Sequence, residues 1–269
     1  MRAPLATALP ALALAALAAC SSVPGTGRSQ LMLLSQSQEK QLGEEAYVDM
    51  LSQVEIVRTG PDAEMVARIG DRIAAAAADL YPDSAAADFD WEFTLIKDDG
   101  MVNAWALPGG KCAVYTGLLP VTGDEDSLAA VMGHEVSHAI ARHGGERMSQ
   151  QVALSVALAG AAYGTKDMDT EERVAIMGAL GLGAQFGVIR PFSRDHELEA
   201  DELGLLLAAH AGYDPRAAVG LWQRMAAASG GGPPEWLSTH PAEETRIKQL
   251  RKLMPRAMEL YEAAQAAGR

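Results

Sequence analysis

The sequence predicts an α+β protein that is mostly α, with a small β-sheet packed beside one central helix. Two observations support this fold class: apolar residues recur at helical spacing in most segments after residue 35, and short alternating or β-rich runs lie between residues 91 and 116. A chain of 269 residues, 49% of them hydrophobic, is long enough to bury one sizeable core. We therefore expect a single folded domain over residues 36–269.

The N-terminal residues have the features of an export signal. Met1-Arg2 is a short positive start, an Ala/Leu run follows, and small residues precede Cys20. The apolar run is too short for a spanning helix. We predict a signal peptide over residues 1–19 and a tether over residues 20–35.

Leu17-Ala-Ala-Cys20 also resembles a bacterial lipobox, in which the cysteine becomes the lipidated first residue after cleavage. The polar stretch at residues 21–29 favours this interpretation over an ordinary signal peptide with an incidental cysteine. Acyl chains on Cys20 would anchor the protein to a membrane on the periplasmic side. Ser21 replaces the aspartate that retains such proteins at the inner membrane in some bacteria. We therefore expect the periplasmic face of the outer membrane, with the inner membrane as the alternative.

Charge and cysteine content exclude other classes of function. The formal net charge is -13, and lysine and arginine form no cluster, whereas phosphate binding needs a basic patch. We expect no nucleic acid partner. Cys112 lies in an alternating run, Lys-Cys-Ala-Val-Tyr, and its predicted role is core packing and not nucleophilic attack.

The first half of the chain is predicted to form two helices and a small sheet. Residues 36–58 and 61–80 have amphipathic helical spacing, and the second segment starts with proline, which suits a first helical turn. Residues 91–97 alternate, as is typical of a half-buried strand. Two more strands, at residues 101–107 and 111–116, flank a Pro-Gly-Gly turn.

One of these strands is predicted to bind substrate. An edge strand carries unpaired N–H and C=O groups, and an extended peptide can add itself to them as one more strand. The alternative is an ordinary edge strand without a ligand. The residues predicted to pair with substrate are Asn103, Ala104, Trp105, Ala106 and Leu107.

The central helix contains the motif His134-Glu135-Val-Ser-His138, with apolar residues at three-to-four spacing and Gly144-Gly145 at its end. A spacing of four places His134 and His138 on one helix face, roughly 6 Å apart along the axis, so that both can reach one metal ion. Catalytic zinc takes three protein ligands and keeps a position for water. Glu135 is placed to act as the general base for that water. The alternative is a chance match on a solvated helix.

A second acidic motif supplies a third ligand. In Glu197-Leu-Glu-Ala-Asp201, Glu197 is the predicted oxygen ligand. Asp201 lies one turn later and is predicted to accept the second N–H of a ligating histidine. Glu199 and Glu202 are predicted to lie on a solvated helix face. Three histidines are predicted to be surface or packing groups: His143, His196 and His210.

The second half of the chain is predicted to be mostly helical. Residues 146–163 and 171–187 are apolar segments shorter than a membrane span, and we favour buried or hairpin-forming helices over membrane contact. A linker is expected at residues 186–193. Three further helices are predicted, at residues 194–210, 214–229 and 242–264.

Four motifs, in this order along the chain, resemble one known family. They are Asn103-Ala-Trp-Ala-Leu-Pro-Gly-Gly110, the HExxH motif, the Glu197 motif and Ser238-Thr-His240-Pro241. They resemble the zinc metallopeptidase family that includes the CAAX prenyl proteases, HtpX and the periplasmic lipoprotein proteases LoiP and BepA. Within this family the sequence resembles LoiP and the protease domain of BepA, from about residue 35 to about residue 250.

The resemblance implies a zincin-like fold of the gluzincin type, one Zn²⁺ per chain and endopeptidase activity. The implied substrates are misfolded or unassembled envelope proteins. His240 would fill the open metal position at rest or stabilise the oxyanion during turnover, the alternative being a helix-capping loop histidine. Arg246 would bind substrate or cap the packing.

Two other functions compete with the endopeptidase. A noncatalytic zinc-binding lipoprotein acting as a chaperone or assembly factor would need only the ligands, so the presence of Glu135 argues against it. Membrane-embedded processing like that of the prenyl proteases would need spanning segments, which the sequence does not contain.

Overall fold

The computed structural model describes residues 20–166, 168–184, 190–227, 240 and 244–269. In them the helices are α1 (Gln36–Leu51), α2 (Pro61–Leu80), α3 (Leu119–Thr122), α4 (Glu125–Ile140), α5 (His143–Gly164), α6 (Thr170–Ala184), α7 (Arg190–His210), α8 (Arg216–Ala227) and α9 (Glu244–Ala266). The strands are β1 (Cys20–Ser22), β2 (Ser29–Leu31), β3 (Ile56–Val57), β4 (Glu92–Ile96), β5 (Ala104–Leu107) and β6 (Lys111–Tyr115). The predicted fold class, α+β and mostly α, is confirmed.

Three predicted boundaries are wrong. Helix α4 ends at Ile140, and Gly144 and Gly145, which were predicted at its end, lie in the first turn of α5. The first helix ends at Leu51 and not at residue 58, because Ile56 and Val57 pair with Ile96 and Leu95 of β4. A strand partner some forty residues away thus overrides the local helical pattern. In addition, α7 begins at Arg190, inside the linker predicted at residues 186–193.

The main sheet has four strands in the order β3-β4-β6-β5. Strands β4 and β6 run parallel, while β5 is antiparallel to β6 in a register that pairs Ala104 with Val114. Strand β5 therefore forms one edge of the sheet, as predicted, and Asn103 immediately precedes it. Cys112 on β6 is buried, which confirms its predicted packing role, and burial raises the pKa of its thiol.

Helix α4 is the central element and packs against α2, α7, α8 and β5. Asp124 caps its first turn by accepting a hydrogen bond from the Ser127 N–H, 2.7 Å away. Helices α4 and α7 approach closely at two glycines. A Cβ atom on Gly204 would lie only 2.7 Å from the backbone nitrogen of His134. The absence of side chains at Gly133 and Gly204 therefore allows the two motif-bearing helices to come together.

Residues 20–31, which we call the N-terminal hairpin, are folded against the domain. Strands β1 and β2 pair antiparallel, and Val23 between them is 1% exposed and packs with Ala141 and Leu203. Arg28 forms ion pairs with Glu146 and Glu199. The segment that we predicted to be a tether is therefore not an extended linker over these residues.

The two apolar segments form helices α5 and α6, which contact each other. The contact between α5 and α6 corresponds to the predicted hairpin. Val152 and Val156 on α5 are 50% and 60% exposed, so this part of α5 is not buried. Among the described residues, no helix has the length and apolar character needed to cross a membrane. The predicted end of the second segment, residues 185–187, lies outside the described residues.

The last two helices form near their predicted positions. The backbone N–H of Arg216 donates to Oδ1 of Asp214 at 2.9 Å, so Asp214 caps the start of α8. Helix α9 packs against α7 and α8. The predicted end of α8 at residues 228–229, and Ser238, Thr239 and Pro241 of the fourth motif, lie outside the described residues.

Candidate metal centre

Four side chains from three parts of the chain converge beside α4. His134 and His138 project from α4, Glu197 from α7, and His240 precedes α9; their ligand atoms all lie within 4.8 Å of one another. Nε2 of His134 is 3.1 Å from Nε2 of His138 and 3.3 Å from Oε2 of Glu197. Nδ1 of His240 lies 3.2 Å from Nε2 of His134 and 2.9 Å from Oε2 of Glu197.

The separations from Nε2 of His134 to the other three donor atoms, 3.1–3.3 Å, are close to the edges of a tetrahedral coordination shell. Zinc–nitrogen bonds of about 2.0–2.1 Å at tetrahedral angles separate neighbouring ligand atoms by about 3.3–3.4 Å. Imidazole nitrogen and carboxylate oxygen are also the donors that zinc accepts in proteins. The described residues at this site therefore fit a four-coordinate ion held by the three predicted ligands, with His240 as the fourth.

His134 is oriented from behind by a buried carboxylate. Its Nδ1 lies 3.1 Å from Oδ1 of Asp201. Arg246 holds that carboxylate at both oxygens: Nε donates to Oδ2 and Nη2 to Oδ1, each at 2.6 Å. Such a partner fixes the tautomer of a ligating imidazole, which is the role predicted for Asp201.

Arg246 is 2% exposed and connects several parts of the site. Its Nη1 lies 3.1 Å from Oε2 of Glu197, and its guanidinium lies 3.7 Å over the ring of Trp222. Such a buried arginine, stacked and bidentate, positions the groups that it contacts. The contacts correspond to the packing alternative, and a substrate-binding role for Arg246 stays a prediction.

Both buried carboxylates are stabilised in their charged form. Burial raises the pKa of Glu197, but hydrogen bonds from His134 and His240 outweigh it and hold the pKa far below its usual range. Burial likewise raises the pKa of Asp201, and the charge and hydrogen bonds of Arg246 bring it below its usual value. Glu197 and Asp201 are therefore acceptors, as a metal ligand and an imidazole partner must be.

Glu135 lies between the ligand set and the sheet. It is 5% exposed, and its Oε1 lies 3.6 Å from Nε2 of His240. Its other neighbours line a small cavity that includes Ala104 and Trp105 of β5 and Met132 of α4. The Trp105 Nε1 atom is buried without a hydrogen-bond partner among the described residues. The edge strand and the predicted base thus adjoin one another.

His138 is supported by a polar cluster that sequence reasoning missed. Its Nδ1 lies 2.8 Å from Nδ1 of His143, whose Nε2 lies 2.9 Å from Oε2 of Glu199. Glu199 is 7% exposed, so its predicted place on a solvated helix face is wrong. His143 is also buried, which lowers its pKa to about 4 despite the hydrogen bond to Glu199. His196 is 4% exposed and bonded to Glu146, so neither histidine lies at the surface.

No local pattern distinguishes Glu199 from its solvated neighbour Glu202, whose side chain is 29% exposed. The partners of Glu199 are Thr26, Arg28 and His143, which lie more than fifty residues away in sequence. Only the packing of α7 against α5 and the N-terminal hairpin brings them together. The signal that sequence reasoning lacked is therefore tertiary.

Comparison with known proteins agrees with this geometry. The model of peptidase family M48 matches residues 62–254. The chain is 36% identical over 242 residues to the mitochondrial metalloendopeptidase OMA1 of Schizosaccharomyces pombe, covering 87% of this chain and 66% of that protein. It is 32% identical over 254 residues to the mitochondrial metalloendopeptidase OMA1 of Homo sapiens, covering 89% of this chain and 47% of that protein.

A bacterial relative is the beta-barrel assembly-enhancing protease of Yersinia pestis, which is 30% identical over 235 residues, covering 85% of this chain and 46% of that protein. The chain thus spans about two thirds or less of each of these three relatives. The resemblance drawn from the four motifs is confirmed. The family match covers most of the chain and includes the ligand set and Glu135. The chain belongs to peptidase family M48.

Proposed function

We propose that this chain is a zinc-dependent endopeptidase of the bacterial periplasm that hydrolyses misfolded or unassembled envelope proteins. The observation that carries the proposal is the placement of Glu135 beside the set formed by His134, His138 and Glu197. A purely structural metal site needs ligands that close the coordination shell, and it has no use for a carboxylate next to them. Glu135 therefore favours catalysis over the noncatalytic zinc-binding alternative.

The chemistry divides between the ion and the side chains. His134, His138 and Glu197 would hold a zinc ion, which would act as a Lewis acid on a substrate carbonyl and would lower the pKa of water to about 7. Glu135 accepts the proton of the attacking water and returns it to the leaving amine. The imidazole of His240, whose Nε2 lies 3.6 Å from Oε1 of Glu135, fills the fourth ligand position at rest, and stabilising charge on the substrate oxygen is the alternative role.

Strand β5 supports a preference for unfolded substrates. It forms the edge of the sheet and packs beside α4, so an extended peptide paired with residues 104–107 would lie next to Glu135. Backbone pairing is independent of side-chain sequence, but it requires an extended segment, which a folded protein rarely exposes. We propose that Asn103 and Trp105 flank this substrate.

The proposed location rests on the N-terminal sequence. The lipobox-like Leu17-Ala-Ala-Cys20 supports lipid anchoring at Cys20, and the name of the Yersinia relative supports a role in β-barrel assembly. The OMA1 relatives are named as mitochondrial, so the location is best tested directly. Growth with labelled palmitate should label the parent in the membrane fraction and not the Cys20→Ala variant; an unlabelled parent would contradict the anchor.

The activity is tested with the purified full chain in detergent. Metal analysis should find one zinc per chain, and the zinc-loaded chain should cut a reduced, unfolded protein at internal bonds but leave its folded form intact. A chelator should abolish cleavage, and zinc should restore it. Zinc binding without cleavage of the unfolded protein, by the parent and also by His240→Ala, would support the chaperone alternative, and equal cleavage of both forms would contradict the proposed selectivity.

A further inference from the structure

The two ligand histidines of α4 are backed in different ways. Nδ1 of His134 faces the carboxylate of Asp201 directly, at 3.1 Å. Nδ1 of His138 faces a second imidazole, with His143 Nδ1 only 2.8 Å away. A ligating histidine nearly always donates its other N–H to an acceptor, so the acceptor for His138 is the Nδ1 atom of His143.

One arrangement of protons satisfies both rings. Nε2 of His138 faces the ligand set, so its proton lies on Nδ1 and is donated to Nδ1 of His143. His143 then carries its own proton on Nε2 and donates it to Oε2 of Glu199, 2.9 Å away. His138 is thus connected through His143 to a carboxylate, as His134 is connected to Asp201 without an intermediary.

Glu199 is itself fixed by the N-terminal hairpin. The hydroxyl of Thr26 donates to its Oε1, and Nε of Arg28 donates to its Oε2 at 2.9 Å. The same guanidinium binds both oxygens of Glu146 through Nη1 and Nη2, at 3.0 and 2.7 Å. A single arginine of the hairpin therefore joins α5 to α7 directly behind His138.

The plane of His143 is fixed as well. Its ring stacks on that of His196, with centroids 4.2 Å apart and planes 12° apart. His196 in turn bonds to Oε2 of Glu146 at 2.9 Å. His143 and His196 are 1% and 4% exposed, so neither ring can reorient without disrupting the packing around it.

We propose that His143 and Glu199 are positioning residues for the metal ligand His138, and that Arg28 of the N-terminal hairpin completes this support. The series Arg28, Glu199, His143, His138 is the counterpart of the series Arg246, Asp201, His134. It assigns a structural role in the metal site to a segment outside residues 62–254, the part that the family model matches. The inference rests on the metal site of the proposed function.

Metal affinity tests the inference without reference to peptidase activity. The dissociation constant of zinc is measured by chelator competition on the full chain, for the parent, for Glu199→Gln and for the matched control Glu39→Gln. Glu39 is also a buried carboxylate, bonded by Arg142 at 2.8 and 3.0 Å, and within the described part of the chain it forms no hydrogen bond or ion pair with His143 or His138. We expect Glu199→Gln to weaken zinc binding about tenfold and Glu39→Gln to change it less than about twofold.

A second variant, His143→Phe, tests the same inference if Glu199→Gln fails to fold. His143→Phe keeps a ring to stack on His196 but removes the acceptor of His138, and it should weaken zinc binding to a similar degree. Both Glu199→Gln and His143→Phe should also change the visible absorption of the Co²⁺-substituted protein, because that absorption reports ligand geometry. The Glu39→Gln variant should keep the spectrum of the parent.

The outcomes separate the inference from the function beneath it. If Glu199→Gln binds zinc at least about five times more weakly than Glu39→Gln, the positioning role of Glu199 and His143 is supported. A smaller ratio between the two variants, with the parent binding zinc, overturns it and leaves the proposed function intact. A parent chain that binds no zinc overturns both.

Discussion

Nδ1 of His240 lies 2.9 Å from Oε2 of Glu197 and 3.2 Å from Nε2 of His134, so its imidazole occupies the fourth corner of the ligand set. A catalytic zinc keeps that position for water or substrate. His240 in this conformation therefore closes the site, which corresponds to the resting state that the family resemblance implies.

The change His240→Ala should accelerate cleavage of a short unfolded peptide several-fold, because it frees the fourth position. It should also weaken zinc binding, since one donor is lost. The control is His210→Ala, because His210 bonds to Asp79 and Arg269 away from the ligand set. An unchanged rate in His240→Ala would remove the assignment, and a slower rate would favour the oxyanion role instead.

Replacing Asp201 by asparagine should damage both metal binding and stability. The imidazole of His134 would lose its anionic partner, which typically costs about 10–100-fold in metal affinity. Arg246, which is 2% exposed, would lose its bidentate partner. Breaking a buried ion pair lowers the free energy of unfolding by about 3–5 kcal/mol. Zinc competition and urea unfolding measure the two effects. Glu202→Gln on the same helix should change neither, and equal behaviour of the two variants would contradict the role of Asp201.

Alanine should have opposite effects on stability at two glycines, Gly204 at the close approach of α4 and α7 and Gly160 on an open face of α5. Gly204→Ala should destabilise the protein by about 1–3 kcal/mol, because the new methyl would meet backbone atoms that cannot move aside. Gly160→Ala, in α5 with nothing within 4 Å of a Cβ, should stabilise by about 0.5–1 kcal/mol. Urea unfolding of both variants checks the sign. A neutral Gly204→Ala would show that the helices are not in tight contact.

Glu146 should make stability depend on acid pH. Burial raises its pKa, but hydrogen bonds from His196 and Arg28 lower it from the ordinary 4.5 to about 2. The ionised carboxylate thus favours the folded state above pH 4.5, and this contribution disappears as the pH falls from 4.5 towards 2. The difference in unfolding free energy between the parent and Glu146→Gln should narrow over that interval. A constant difference would contradict the assigned partners.

Those parts of the site that lie on one helix turn were predictable from sequence. His134 and His138 share a face because they are four residues apart, and the same spacing relates Glu197 to Asp201. The helical period fixes such geometry before any tertiary contact forms. The pairing of His134 with Asp201 then needs only that the two motif helices meet.

Several of the sequence predictions that are wrong concern residues whose partners are distant in sequence. The sequence predicts a solvated position for Glu199, because a charged residue on a helix has the same local pattern whether it is exposed or buried among partners. Residues 56–57 looked like the end of a helix because β4, their strand partner, comes much later. The N-terminal hairpin has the polar sequence of a tether. The residues that hold it against the domain, Glu146 and Glu199, lie far along the chain, so the local sequence does not reveal the contact.

The proposed function depends on proton transfer by Glu135 at a metal held by His134, His138 and Glu197. Zinc content and cleavage of an unfolded protein, measured on the same preparations of the parent and of Glu135→Gln, check this step. Equal zinc content with cleavage by the parent alone is the result that we predict, with a loss of about 10²–10⁴-fold in the variant. Equal cleavage by both would contradict the role of Glu135. Zinc binding without cleavage, by the parent and by His240→Ala alike, would contradict the proposed function.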